Sequence, residues 1–177
     1  KLGFGVKDDL AVMQAIAKAM QGKEVELMID TNHSYGRTEA FELGHGLAEF
    51  GLRWYEEPVV PEDIAGYAEL RQRLPVPIAG GENAHSLYGF KSLFEAGAVD
   101  IGSCGGFTAA RHIHILAQAF GVEVNPHVWG SAVAQAASLQ WIAALPITHH
   151  ALFARQPILE YDQSSHPFRQ HLTEQPV

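Results

Sequence analysis

The chain has 177 residues, with 12 Lys+Arg against 20 Asp+Glu, a formal net charge of -8, 47% hydrophobic and 18% charged residues. This is globular composition, enough for one domain that buries roughly two thirds of its unfolded surface, and the acidic balance opposes a nucleic-acid or anionic-membrane partner. A single cysteine, Cys104, excludes an internal disulfide and a cysteine-built zinc site. No apolar run approaches the ~20 residues of a membrane span, and no signal peptide opens the sequence, so a cytoplasmic protein is expected.

The segment Lys1-Leu2-Gly3-Phe4-Gly5 lacks an initiator Met and reads as a strand already under way, which predicts a piece of a longer protein. Val25 to Asp30 is a short apolar run ending in a carboxylate. Arg37 to Phe50 follows with helical spacing of Phe41, Leu47 and Phe50, and stops at Gly51. Leu52 to Glu56 is the next strand. Pro61 is expected to open a helix whose apolar face is Ile64, Tyr67, Leu70 and Leu74. Pro77 to Glu82 is a strand, Ser86 to Ala96 a helix closed by Gly97, and Ala98 to Ile101 a strand. Phe107 to Phe120 is a helix closed by Gly121. Val122 to His127 is a strand, Ser131 to Leu145 a helix stopped by Pro146, and Pro157 to Tyr161 a last strand.

Strands alternating with single helices predict parallel βαβ units. An open doubly wound sheet and a (β/α)8 barrel both fit. No good dinucleotide fingerprint is present: Gly3-Phe4-Gly5 lacks a third glycine, and Gly80-Gly81 opens no phosphate loop. Polar residues recur at strand C-termini, where barrel enzymes build their sites. The expected fold is therefore an α/β, TIM-like barrel, incomplete in this chain, with about seven strands and six helices. Residues 1–161 would form the barrel segment and 162–177 an irregular tail.

Asp30 to Glu56 is 26 residues, and Glu56 to Glu82 is again 26. One βα unit takes roughly that length, which puts three carboxylates at matching strand ends facing one barrel mouth. Each alone could cap the following helix. Three in phase would repel one another unless a hard cation sat between them, and oxygen ligands with open positions suit Mg2+. His127 ends a later strand and can face the same centre as a general acid/base. A lone histidine is otherwise a satisfied core or capping residue, and that reading holds for most of the others. His33 and His85 follow two of the carboxylates by three residues and could line the pocket.

Ile29-Asp30-Thr31-Asn32, Trp54-Tyr55-Glu56-Glu57-Pro58 and Gly81-Glu82-Asn83 resemble the three metal-ligand motifs of the enolase superfamily, nearest to its mandelate racemase and muconate-lactonizing branch. Gly105-Gly106-Phe107-Thr108, Asn125-Pro126-His127 and Ile158 to Asp162 extend the likeness in register almost to the C-terminus. The resemblance implies that Asp30, Glu56 and Glu82 bind one Mg2+, with Glu57 behind them or in the packing. It implies that Asn32 lines the site, and Asn83 shares the third motif; together with His33 these are the expected substrate-binding residues. Lys1 matches the second lysine of a Lys-x-Lys motif, against a plain reading as a solvated terminus. Glu160 would be an acid near the substrate carboxylate, against a reading as a surface glutamate.

Two departures stand out. The family's N-terminal capping domain is not in this sequence. The stretch after Ile101 that usually carries an aspartate partner for the histidine is also missing, and Glu82 to His127 is 45 residues where two units would need 52. A gap in the barrel is therefore expected at Ile101-Gly102 as well as at the start of the chain. The implied activity is Mg2+-dependent proton abstraction alpha to a carboxylate, with His127, Lys1 and Glu160 as catalytic residues. The wording around Val128-Trp129-Gly130 and Ser165 to Arg169 looks most like acid-sugar dehydratases. Racemisation, cycloisomerisation and a non-catalytic metal-binding barrel are the alternatives. A small carboxylate substrate and a homo-oligomer are expected, with neither nucleic acid nor membrane as partner.

Overall fold

The computed structural model describes residues 1–99, 101–104, 106–145, 156–162, 164–174 and 177. Asp100, Gly105, Pro146, His149 and His150 lie outside the described residues. Five strands run parallel in the order β1-β2-β3-β4-β5: Met28–Asp30, Trp54–Glu56, Ile78–Gly80, Ile101–Cys104 and Glu123–Pro126. One helix follows each strand: α2 (Arg37–Leu47), α3 (Ile64–Arg73), α4 (Ser86–Glu95), α5 (Phe107–Phe120) and α6 (Ala132–Ala144). α1 (Val6–Met20) precedes β1, and α7 (Pro167–Gln170) gives the expected irregular tail one turn of helix. This sheet, with every neighbour joined in chain order, is part of a (β/α) barrel. Among the described residues it is open, with β1 and β5 as its edges.

Trp54, Tyr55 and Glu56 are all buried, as expected for a parallel strand covered on both faces. Alternation sends Tyr55 outward into the helix layer, where it joins a core with Leu43, Leu70, Ile78, Phe90 and Ile113. Trp54 and Glu56 face the barrel interior and line a cavity there. Burying such apolar side chains contributes roughly 1.5–3 kcal/mol each, and this is what holds the strand ends in place.

Helix ends follow their local chemistry. Gly51, Gly97 and Gly121 take left-handed φ of 60°, 60° and 67° just past α2 and its 3-10 extension, α4 and α5. α3 does not start at Pro61. It starts at Ile64, because Asp63 is the cap, accepting the Gly66 N–H at 3.0 Å. Ala98 and Val99 do not belong to a strand over Ala98 to Ile101. The Ala98 N–H still closes α4 on the Leu93 carbonyl at 2.9 Å, and both residues are fully buried.

β4 begins at Ile101 and is paired on both sides. Ile101 faces Ala79 and Glu123, and Gly102 faces Gly80 and Val124. The expected gap at Ile101-Gly102 is therefore overturned, because the strand runs through both residues. The shortfall in spacing is absorbed instead by a register step of 22 residues from β3 to β4 and from β4 to β5 (101 − 79 and 123 − 101). The expected strand over Pro157 to Tyr161 is also absent. That segment runs beside β5 through side chains, with the Ile158 N–H donating to Asn125 Oδ1 at 2.8 Å.

The expected strand at Lys1 is reduced to one backbone bond, from the Leu2 N–H to the Asp30 carbonyl at 2.9 Å. What fixes this segment is Asp9 in the first turn of α1. Its fully buried carboxylate accepts from the backbone of Gly3 at 2.8 Å and Phe4 at 3.1 Å, and from the Tyr35 hydroxyl. Gly3 has φ +114°, and a Cβ there would stand 2.5 Å from Ser34 Oγ, so only glycine fits. Lys1 is thereby tethered at the end of β1.

Candidate active site

Asp30 and Glu56 are the last residues of β1 and β2 and are register partners. Glu82 is not their equivalent. β3 ends at Gly80, and the partner of Glu56 is Ala79, so the step from β2 to β3 is 23 residues. The equal 26-residue spacing thus does not mean equal register. Strands in a barrel are staggered, and the turn after β3 carries Glu82 two residues past the strand to reach the same mouth.

Glu56 is 7% exposed, and its Oε2 accepts the Trp54 indole N–H at 3.0 Å. Burial pushes its carboxyl up to about 8, with the fields of Asp30, Glu160 and Glu82 adding to that and the Trp54 bond opposing it. Burial likewise raises Glu82, where the charge of His127 opposes the shift and Glu57 and Asp30 add to it. Glu82 Oε2 is buried and accepts no aligned hydrogen bond among the described residues. His127 follows β5 directly, and its Nδ1 lies 3.1 Å from that oxygen and 3.5 Å from Glu160 Oε2. The second Glu160 contact is with the Val128 N–H at 2.9 Å, which ties the loop after β5 to the 156–162 segment.

Ligand atoms of Glu56, Glu82 and His127 all lie within 4.8 Å of one another. Asp30 is bound differently. Its carboxylate is paired with the Lys1 ammonium and accepts the Asn32 N–H at 2.7 Å. Burial works against the Lys1 charge, but the hydrogen bond and field of Asp30, with Glu82 and Glu56, outweigh it and raise the lysine above its ordinary value. Lys1, Asp30, Trp54, Glu56, Asn125 and Glu160 line a cavity of about 330 Å3. A crowd of carboxylates, with a buried Glu82 oxygen that has the unaligned His127 ring beside it, is chemistry that suits a hard divalent cation.

Asn32, His33 and Asn83 are brought together by Glu57 rather than by the cavity. The Asn32 and Asn83 amides donate to Glu57 at 3.1 and 2.9 Å, and His33 Nδ1 is 3.2 Å away. His85 borders a separate pocket of about 270 Å3 between α3 and α4, with Glu57 and Tyr67 in its wall. Sequence reasoning missed Trp54 and Asn125. Strand alternation was the available signal: each stands two residues before Glu56 or His127 and so shares its face.

The sequence profile of the enolase C-terminal domain-like family matches residues 1–174. The chain is 45% identical, over all of its length, to a D-galactarolactone cycloisomerase of Agrobacterium fabrum, of which it covers 48%. It is 40% identical over 63% of its length to an L-rhamnonate dehydratase of Saccharopolyspora erythraea, covering 30% of that protein. The crystal structure of a 3,6-anhydro-D-galactonate cycloisomerase from Zobellia galactanivorans superposes with a TM-score of 0.88 at 38% identity, over 97% of this chain and 47% of that one. Solved relatives include magnesium-bound forms. The chain spans about half the length of the first of these curated relatives and less of the second.

Proposed function

Because the chain belongs to the mandelate racemase and muconate-lactonizing branch of the enolase superfamily, we propose that it carries the catalytic half of an enzyme that removes a proton alpha to a sugar-acid carboxylate. The observation that carries this reading is the convergence of Glu56, Glu82 and His127 within 4.8 Å at the C-terminal strand ends. Asp30, Glu56 and Glu82 would hold one Mg2+. Their oxygens are the hard donors that Mg2+ prefers, and the fields of Asp30 and Glu82 already fall on Glu56. When bound, the ion supplies electrostatic stabilisation of the charge that develops on the substrate carboxylate.

His127 takes the alpha proton, and the nearby Glu160 orients its loop. Lys1, an ammonium paired with Asp30 at the end of β1, is the candidate that gives a proton to the departing oxygen. The electron pair left by the proton expels an oxygen from the beta carbon, and that oxygen is protonated. The enol then becomes a keto acid. Where the departing oxygen belongs to a ring, the ring opens and the product is an isomer. Where it is a free hydroxyl, water is lost. The match over the whole chain to a cycloisomerase favours the ring-opening reaction, and the shorter match to a dehydratase supports loss of water as the second reading.

The test is to incubate the intact protein with Mg2+ and a sugar-acid lactone, or an open-chain aldonate, in D2O. A keto acid of unchanged composition apart from deuterium is expected from the lactone. A product lighter by one water from the aldonate would favour the second reading. No product and no exchange of the alpha proton with any sugar acid would remove the proposal.

A further inference from the structure

Glu57 is the most deeply buried carboxylate next to the site, at 1% exposure, and the mechanism above does not use it. It follows Glu56 at the end of β2, yet its contacts reach the loops after all three strands that carry the acidic residues. From the loop after β1 come the Asn32 amide and His33 Nδ1, both on Oε2. From the loop after β3 comes the Asn83 amide, on Oε1. Its backbone carbonyl accepts the His33 N–H at 2.8 Å and the Thr31 hydroxyl at 2.9 Å.

The backbone is strained at the same place. Glu57, Asn32 and His33 have φ of 46°, 47° and 50°, the left-handed region that non-glycine residues avoid. A buried acceptor that collects donors from two other loops holds those loops in one relative position. Since a carboxylate can only accept, it also fixes both amides with their N–H groups inward and their oxygens turned away from it.

We propose that Glu57 is a positioning residue that locks the loops after β1, β2 and β3 together, so that the Asp30, Glu56 and Glu82 carboxylates converge on one cation. This rests on the reading of the site given under Proposed function. It predicts a specific electronic requirement at position 57: an acceptor toward Asn32 and His33 and a second acceptor toward Asn83.

The experiment is calorimetric titration with Mg2+ of the intact protein and of Glu57→Gln, Asn83→Asp and the double variant, well below their unfolding temperatures. Glu57→Gln sets an N–H against a donor and should weaken Mg2+ binding by about 10–100-fold, as loss of an outer-shell partner does. Asn83→Asp alone sets carboxylate against carboxylate and should weaken it as well. The double variant restores one donor facing one acceptor at unchanged net charge, and should recover most of the affinity. A merely structural role for Glu57 would not give that recovery. Unchanged affinity in Glu57→Gln, or a double variant no better than either single one, would overturn the proposal. If Glu57→Gln does not fold, Asn83→Ala decides, because it removes one donor only, and unchanged affinity there overturns it equally. If the unaltered protein itself fails to bind Mg2+, the reading of the site falls together with this inference. If it binds and the single variants bind Mg2+ equally well, Glu57 alone falls.

Discussion

His127 stands between two carboxylates, 3.1 Å from Glu82 and 3.5 Å from Glu160, immediately beyond β5. Two roles compete for it: a nitrogen ligand completing a set with Glu56 and Glu82, or a proton carrier beside an oxygen-held cation. Mg2+ prefers oxygen, which favours the second. His127→Asn separates them, because it keeps hydrogen bonding but cannot titrate. The expected outcome is a loss of turnover of about 10²–10⁴-fold, the usual contribution of general acid/base catalysis, with Mg2+ affinity intact. Steady-state kinetics alongside metal titration checks it. Weakened Mg2+ binding would make His127 a ligand, and normal turnover would remove it from the reaction.

Among the elements, α3 is the helix that backs the loop carrying Glu57. Its N-cap Asp63 accepts the Gly66 N–H and is gripped by Arg37 at the start of α2, with the guanidinium holding its carboxyl below the usual range. A Cβ at Gly66 would stand 2.2 Å from Asp63 Oδ2, so the cap, the glycine and the arginine form one joint between two βα units. Asp63→Ala should destabilise by about 1 kcal/mol through the lost cap. The ion pair is largely exposed and adds little. Urea unfolding measures this directly. Stability equal to the parent would mean that the joint is not what fixes the start of α3.

At the scale of the whole molecule, the raised Glu56 carboxyl links folding to pH. Its folded value of about 8 exceeds the ordinary 4.5, so the folded protein keeps a proton that the unfolded chain has lost over that interval. The contribution of Glu56 to stability therefore falls as pH rises from the unfolded value toward 8. With chelator present, the thermal midpoint of the parent should drop between pH 6 and 8 more steeply than that of Glu56→Gln. With excess Mg2+ the sign should reverse if the proposed site is right, because a cation on the ionised carboxylate would add stabilisation that grows with pH. Parallel pH profiles for parent and Glu56→Gln under chelation would show that Glu56 does not titrate in this range. No helix among the described residues is long and apolar enough to cross a membrane.

Much of this was legible in the residues alone. Alternating apolar runs, helix-closing glycines at 51, 97 and 121, and acidic residues at strand ends give the parallel βα order, because periodicity and capping act over a few residues. The motifs around Asp30, Glu56 and Glu82 resemble those of the family, and the profile match over residues 1–174 bears the likeness out. Register was not legible. The spacings 30, 56, 82 look equivalent, yet the strand steps are 26, 23, 22 and 22, since barrel stagger depends on how neighbouring strands slide and not on either sequence by itself. Nor was the division of partners. Asp30 pairs with Lys1 because Asp9 pins the segment that carries the lysine, and Glu57 gathers Asn32, His33 and Asn83 from positions 24 to 26 residues away. The sequence by itself determined that carboxylates and a histidine stand at or just past the strand ends. Only the tertiary structure decided which of them touch, because hydrogen bonds require a few ångströms of placement that distant packing sets.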